Sequence, residues 1–125
     1  MEFSLDKGQG TYKIESYDDN GIKINGKFYT ESLIIMPEKM IVPWGPNTSE
    51  DLKPEHFQML IPLAPQVILL GLGLGNTVKF PNPKLYSCLT ERSIGVEVMT
   101  NSAACRTYTV LMSEGRSVLA AFILK

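Results

Sequence analysis

Hydrophobic and polar residues alternate with a period of two through the first third of the chain, which is the pattern of half-buried strands. Two turns interrupt this pattern, and the second is Asn25-Gly26, where both residues tolerate a positive φ. The predicted strands of this part are residues 11–17, 22–25, 27–29, 33–36 and 40–42. Because short turns join neighbouring strands, the pattern predicts an N-terminal region of antiparallel hairpins.

The pattern changes after residue 53, where helical spacing begins to alternate with continuous apolar runs. Pro54 suits the first turn of a short helix, because an N–H at that position has no partner within the helix. The predicted helices begin at Pro54, at Pro83 and at Thr100 or Asn101, and the predicted strands are residues 66–70, 95–99 and 117–124. Strand–helix–strand order requires crossover connections, so part of the sheet is predicted to be parallel.

These elements together predict one α/β domain over residues 1–125. Its expected architecture is a three-layer α/β/α fold with a mixed central sheet and an N-terminal antiparallel hairpin region. A chain of this length buries roughly two thirds of the surface that its unfolded form exposes. With 44% hydrophobic residues it has enough apolar surface for a core without disulfides.

Charge and composition narrow the classes of partner. The formal net charge is -1 and no basic block occurs, which disfavours nucleic acid as a partner. No apolar run is long enough to span a bilayer. The N-terminus has no signal-peptide or transit-peptide pattern, and the two cysteines need no oxidising compartment. We therefore expect a cytoplasmic location without a transmembrane segment, and a homo-oligomer stays open.

A glycine-rich segment follows the strand predicted at residues 66–70. Dinucleotide-binding folds place a phosphate-binding loop at this position. The spacing here is G-x-G-x-G rather than G-x-G-x-x-G, and no helix follows at once. The alternative is a tight turn where the backbone passes close to a neighbour. The candidate ligand or partner residues of this region are Gly71, Gly73, Gly75, Asn76 and Thr77, with Thr100 and Asn101 at the start of the third helix.

Cys105 and Arg106 are the second candidate pair. A cysteine near a helix N-terminus and beside an arginine can have a lowered pKa and react as a thiolate. The alternative is a small packing residue. Helical spacing predicts an apolar stripe of Ala103, Thr107, Val110 and Leu111, flanked by Ala104 and Tyr108. The same spacing places Cys105 between the buried and exposed faces. Both interpretations of Cys105 stay open at this point.

Other catalytic groups are scarce. His56 is the only histidine and has no cysteine or histidine at zinc-ligand spacing. No nucleophile elbow and no recognisable pair of acid and base carboxylates occurs. The sequence therefore predicts no catalytic residue, no metal and no cofactor, and it favours a non-enzymatic role. Trp44, between Pro43 and Gly45, is either an interface anchor or a plug at the end of the core.

Several segments together resemble one family. These are Val67 to Gly73, Phe80-Pro81, Ile94 to Met99 and the block Ala103-Ala104-Cys105-Arg106-Thr107-Tyr108. The chain resembles the small Mth-type α/β domains, a family that includes assembly factor 3 of mitochondrial complex I and uncharacterised bacterial and archaeal proteins. The likeness covers nearly the whole chain. The block at residues 103–108 is its most specific part.

The resemblance implies a three-layer α/β/α fold and a role as an accessory or assembly protein that acts through a protein partner. The alternative function is a small-molecule or anion-binding domain with its site where residues 71–77 meet the start of the third helix. The extra Leu-Gly repeat at residues 72–75 departs from the family pattern. Loop contacts of the relatives are therefore not transferred to this chain.

Overall fold

The computed structural model describes residues 11–73 and 77–125. Eight strands lie in this part of the chain: β1 (Ile14–Tyr17), β2 (Ile22–Ile24), β3 (Lys27–Tyr29), β4 (Leu33–Met36), β5 (Lys39–Ile41), β6 (Val67–Leu72), β7 (Gly95–Met99) and β8 (Val118–Ile123). The α-helices are α1 (Pro54–Gln58), α2 (Ser87–Thr90) and α3 (Asn101–Ser113), and 3-10 turns occupy Ser49–Asp51, Ile61–Leu63 and Pro83–Tyr86.

The first three strands form a separate antiparallel sheet in the order β1-β2-β3. The turn between β2 and β3 has a positive φ at both Asn25 and Gly26, as the Asn-Gly dipeptide predicts. The Asn25 side chain also accepts a hydrogen bond from the Lys13 N–H at 2.9 Å. The predicted hairpins are thus present, but β4 and β5 do not continue this sheet.

The five-stranded sheet has the order β5-β4-β8-β6-β7. Strand β6 pairs in parallel with β7 and β8, whereas β4 pairs antiparallel with β5 and β8. Every residue of β6 and β8 is buried, which explains why both strands are continuous apolar runs. The predicted mixed sheet is confirmed, and the β4–β5 hairpin extends one of its edges.

Alternate residues of the central strands face two different layers. On one face, Leu69 and Ala120 pack with α3 and with residues of β2. On the other face, Ile68 and Leu119 pack with Phe57 of α1 and with residues around α2. The structure therefore confirms the predicted α/β/α layers, and the small sheet shares its layer with α3. Within the described residues, no helix combines the length and apolarity needed to cross a bilayer.

Trp44 lies in the core layer that contains α1 and is 4% exposed. Its indole N–H donates to the His56 carbonyl oxygen at 3.1 Å, and its ring meets the Phe57 ring edge-on at a centroid distance of 5.9 Å. The His56 Nδ1 accepts from the Lys53 N–H at 3.0 Å, which helps to cap α1. Trp44 is thus a core residue, because its surroundings bury the ring and satisfy its donor.

Candidate functional site

The glycine-rich segment begins inside β6, since Gly71 and Leu72 are strand residues. A Cβ atom at Gly71 would lie 2.7 Å from both Asn101 Oδ1 and Phe122 Cδ1. Gly73 has a φ of +126°, and a Cβ there would collide with the Thr77 carbonyl oxygen. Both glycines make room for neighbouring protein groups at positions where a side chain does not fit. Gly75 and Asn76, predicted in the same site, lie outside the described residues.

The start of α3 is fixed to the ends of two strands. The Thr100 side chain caps the helix by accepting from the Ala103 N–H at 3.2 Å. The Asn101 N–H donates to the Gly73 carbonyl oxygen, and its Nδ2 donates to the Ile123 carbonyl oxygen, each at 3.0 Å. The Asn101 side chain is buried, and its Oδ1 has no hydrogen-bond partner among the described residues. Asn101 therefore joins α3 to the segment after β6 and to the end of β8.

A cavity of about 200 Å³ opens at the carboxyl ends of β6 and β8. We call it the carboxyl-edge cavity, and its lining residues are Ser49, Leu72, Gly73, Thr77, Lys79, Ile123 and Lys125. Gly73 and Thr77 were predicted for this site. The predicted residues Thr100 and Asn101 are not among its lining residues, and Asn101 contacts the cavity wall through its bond to Gly73. Sequence reasoning missed the two lysines, because neither belongs to a motif.

A second depression of about 340 Å³ lies between β1 and α3. We call it the β1–α3 groove; six of its lining residues are Ile14, Glu15, Tyr17, Cys105, Arg106 and Val110. Arg106 donates from Nη1 to the Tyr17 hydroxyl at 3.2 Å across the groove. Tyr17 and Val110 are 39% and 54% exposed. Apolar surface and a guanidinium group are therefore both open to solvent here.

Cys105 lies at the floor of the groove and is 1% exposed. Burial raises the pKa of its thiol to about 12, and this exceeds the opposing effect of the Arg106 charge. A thiol with this pKa is protonated at neutral pH and is a poor nucleophile. The structure thus favours the packing interpretation of Cys105.

The buried face of α3 differs from the predicted stripe. Asn101, Ala104, Cys105 and Tyr108 are its buried residues, whereas Val110 is exposed. The Tyr108 hydroxyl donates to the Tyr12 carbonyl oxygen at 2.8 Å, and burial, together with the Glu38 charge, raises its pKa. Leu111 of the predicted stripe does pack against the core. Apolar residues occur on most sides of this helix, so periodicity alone centred the stripe too close to Val110. The N-terminal region decides the outcome, because Tyr108 packs in one cluster with Ile22 and Ile24 of β2 and bonds to Tyr12, just before β1.

The predicted site residues that the structure describes therefore fall into two places. Gly71, Gly73, Thr77, Thr100 and Asn101 lie at the carboxyl edge of the central sheet. The second place is the β1–α3 groove, which contains Cys105 and Arg106. Over residues 11–73 and 77–125, no group of three or more His, Cys, Asp or Glu side chains is arranged to hold a metal ion.

Comparison with protein families gives a match over most of the chain. The family model described as "Protein of unknown function (DUF498/DUF598)" matches residues 14–123. Mouse NADH dehydrogenase [ubiquinone] 1 alpha subcomplex assembly factor 3 is 30% identical over 110 residues, which are 88% of this chain and 59% of the mouse protein. The aligned part of the chain thus spans less than two thirds of that relative.

Two solved structures are similar to this chain over almost its whole length. The NMR structure of a Xanthomonas campestris protein is 36% identical, with a TM-score of 0.83 over 99% of this chain and 92% of that chain. The solution structure of a Bordetella pertussis protein, described as a Mth938-like domain, is 25% identical. Its TM-score is 0.75 over 98% of this chain and 91% of that chain.

Proposed function

This chain belongs to the DUF498/DUF598 family, in agreement with the resemblance found in its sequence, and we propose that it is a non-catalytic accessory protein that assists assembly of a respiratory NADH dehydrogenase. The relatives named as assembly factor 3 of NADH dehydrogenase support this role. The chain matches 59% of the mouse protein, so the role is transferred only as a proposal. Cytoplasmic location likewise stays a prediction.

The observation that carries the proposal is the β1–α3 groove, where exposed apolar side chains surround an arginine. Tyr17 and Val110 leave apolar surface open, and tyrosine and arginine are among the residue types whose truncation most often weakens a protein interface. Arg106 can form paired hydrogen bonds with a carboxylate. Glu15 also lines the groove, but its carboxylate already accepts a hydrogen bond from the Gly26 N–H at 3.1 Å. The matching occupant is a protein segment that presents an apolar side chain beside a carboxylate.

The proposal is tested by removing the protein from a host that contains a respiratory NADH dehydrogenase. We expect less fully assembled enzyme on native gels, and the wild-type gene should restore it. The double variant Val110→Ser/Arg106→Gln should fold but fail to restore assembly. Phe28→Ser is the matched control, because Phe28 is an exposed apolar residue outside the groove. Normal assembly without the protein would contradict the proposal.

Binding of a small molecule is the second candidate function, and a different observation favours it. The carboxyl-edge cavity lies at the ends of parallel strands, the usual ligand position in open α/β sheets. This function does not require the β1–α3 groove.

A further inference from the structure

The size of the carboxyl-edge cavity limits the buried part of a ligand to a short chain or a single ring. Its volume is about 200 Å³. An apolar cavity of about 150 Å³ holds one benzene molecule, whereas sites for drug-sized ligands measure about 300–1,000 Å³. A dinucleotide therefore does not fit inside the cavity.

The interior and the mouth of this cavity differ in chemistry. Leu72 and Ile123, the last residues of β6 and β8, are buried and give the interior an apolar wall. Lys79 and Lys125 also line the cavity but are exposed. Lysine places its apolar stem along such a wall and keeps its ammonium group in water. One end of the cavity thus suits a hydrocarbon group and the other suits a negative charge.

Glu50 is a nearby carboxylate that competes for one of these lysines. A hydrogen bond from its own backbone N–H, and next the charge of Lys79, lower the pKa of Glu50. Glu50 lines an adjacent depression together with Lys79 and Phe80, and it does not line the carboxyl-edge cavity. Lys125 lines the carboxyl-edge cavity but does not line the depression that contains Glu50. Among the residues that the structure describes, the side chains that line the cavity therefore include two cations and no carboxylate.

We propose that the carboxyl-edge cavity binds a small organic monoanion with an apolar tail, such as a short-chain carboxylate. The tail packs against Leu72 and Ile123, and the carboxylate lies between Lys79 and Lys125. The buried Asn101 maintains the site, since its N–H holds the Gly73 carbonyl oxygen. This proposal is independent of the partner groove and of the assembly role.

Titration followed by amide NMR tests the site with four probes at millimolar concentration. Hexanoate has both the tail and the charge, hexanol has only the tail, and acetate and inorganic phosphate have only a charge. We expect saturable shifts with hexanoate at Leu72, Gly73, Thr77, Lys79 and Ile123. Hexanol should bind several-fold more weakly, and acetate and phosphate should not saturate.

Variants separate the contributions of charge and shape. Lys79→Gln/Lys125→Gln should weaken hexanoate binding about tenfold, the combined effect of two exposed ion pairs. Lys23→Gln is the control, because Lys23 is exposed on β2 and should leave binding unchanged. Glu50→Gln should tighten binding by removing the competing carboxylate. Ser49→Leu should block the cavity while the thermal midpoint stays near that of the wild type.

Three results would overturn the proposal. The first is the absence of saturable shifts with hexanoate. The second is saturable binding whose shifts lie away from the cavity. The third is equal affinity for hexanol and hexanoate together with no effect of the double lysine variant, because the lysines would then recognise no charge.

Discussion

The two faces of α3 show how differently neighbouring residues of one helix are used. The inner face carries Asn101 and Cys105, which are buried and packed against the central sheet. On the outer face lie Arg106 and Val110, which are exposed beside β1. Two predicted site residues, Asn101 and Cys105, are thus buried packing groups, whereas Val110, which was not a predicted site residue, provides accessible apolar surface. Residue type alone does not distinguish a site residue from a core residue.

Thiol reactivity gives the largest expected effect on the inner face. A rise in the pKa of Cys105 from 9.0 to about 12 lowers its thiolate fraction about 1,000-fold at neutral pH. Iodoacetamide should therefore modify the half-buried Cys88 well before Cys105 in the folded protein. Mass spectrometry of the labelled peptides measures both rates. In urea the two rates should become similar. Fast labelling of Cys105 in the folded protein would contradict its interpretation as a buried packing residue.

The same pKa shift predicts a loss of stability at alkaline pH. Below pH 9 the thiol is protonated in both the folded and the unfolded chain, so its stabilising contribution is fully present. Above pH 9 the unfolded chain loses this proton first, and the free energy of unfolding falls until about pH 12. Urea unfolding at a series of pH values measures this change. In Cys105→Ala the decline should be smaller, and Tyr108 should account for part of what remains.

Gly71→Ala tests the packing beneath the inner face. The new methyl group would press on Asn101 Oδ1 and Phe122 at 2.7 Å, so we expect a loss of about 1–3 kcal/mol in the free energy of unfolding. Gly95→Ala is the matched control, because the nearest atom to its Cβ, from Val67, is 4.0 Å away. That variant should change stability by no more than about 0.5 kcal/mol. Equal effects of the two variants in urea unfolding would show that Gly71 is not tightly packed.

A double-mutant cycle tests the same contact through a smaller change in the free energy of unfolding. Asn101→Ala removes the atom that opposes a side chain at residue 71, so Gly71→Ala should cost less in that background. We expect a coupling energy of about 0.5–1 kcal/mol, since Phe122 still restricts the space. Additive losses of stability would contradict the contact between Gly71 and Asn101.

On the outer face we expect the smallest change in stability. Val110→Ser/Arg106→Gln should shift the free energy of unfolding by no more than about 0.5 kcal/mol per substitution, because both side chains are exposed. Chemical unfolding measures the change. A loss of several kcal/mol would mean that the outer face supports the fold and is not available for binding.

Local sequence patterns predicted most of the fold. The strand at residues 95–99 matches β7, and Thr100 caps α3 as a threonine before a helix should. The split between the two sheets was not predictable, because it depends on which surfaces β4 and α3 cover. The same tertiary effect buries Ala104, Cys105 and Tyr108 of α3 and leaves Val110 exposed.

The candidate site was predicted less completely than the fold. The position at the carboxyl ends of the strands follows from strand–helix order, and Gly73 and Thr77 line the cavity there. Lys79, Lys125 and Ser49 come from three separate segments, so no local pattern connects them. Arg106 was a candidate because it follows Cys105 in the sequence. Its hydrogen-bond partner Tyr17 lies 89 residues away, so no local pattern predicts that contact.

The central claim, that the outer face of α3 binds the partner, is tested most directly by affinity purification at native abundance. The amounts of co-purified NADH dehydrogenase subunits are compared for the wild type, Val110→Ser/Arg106→Gln and the Phe28→Ser control. We predict a loss of about tenfold or more for the double variant and no loss for the control. Equal recovery with all three proteins would contradict the claim.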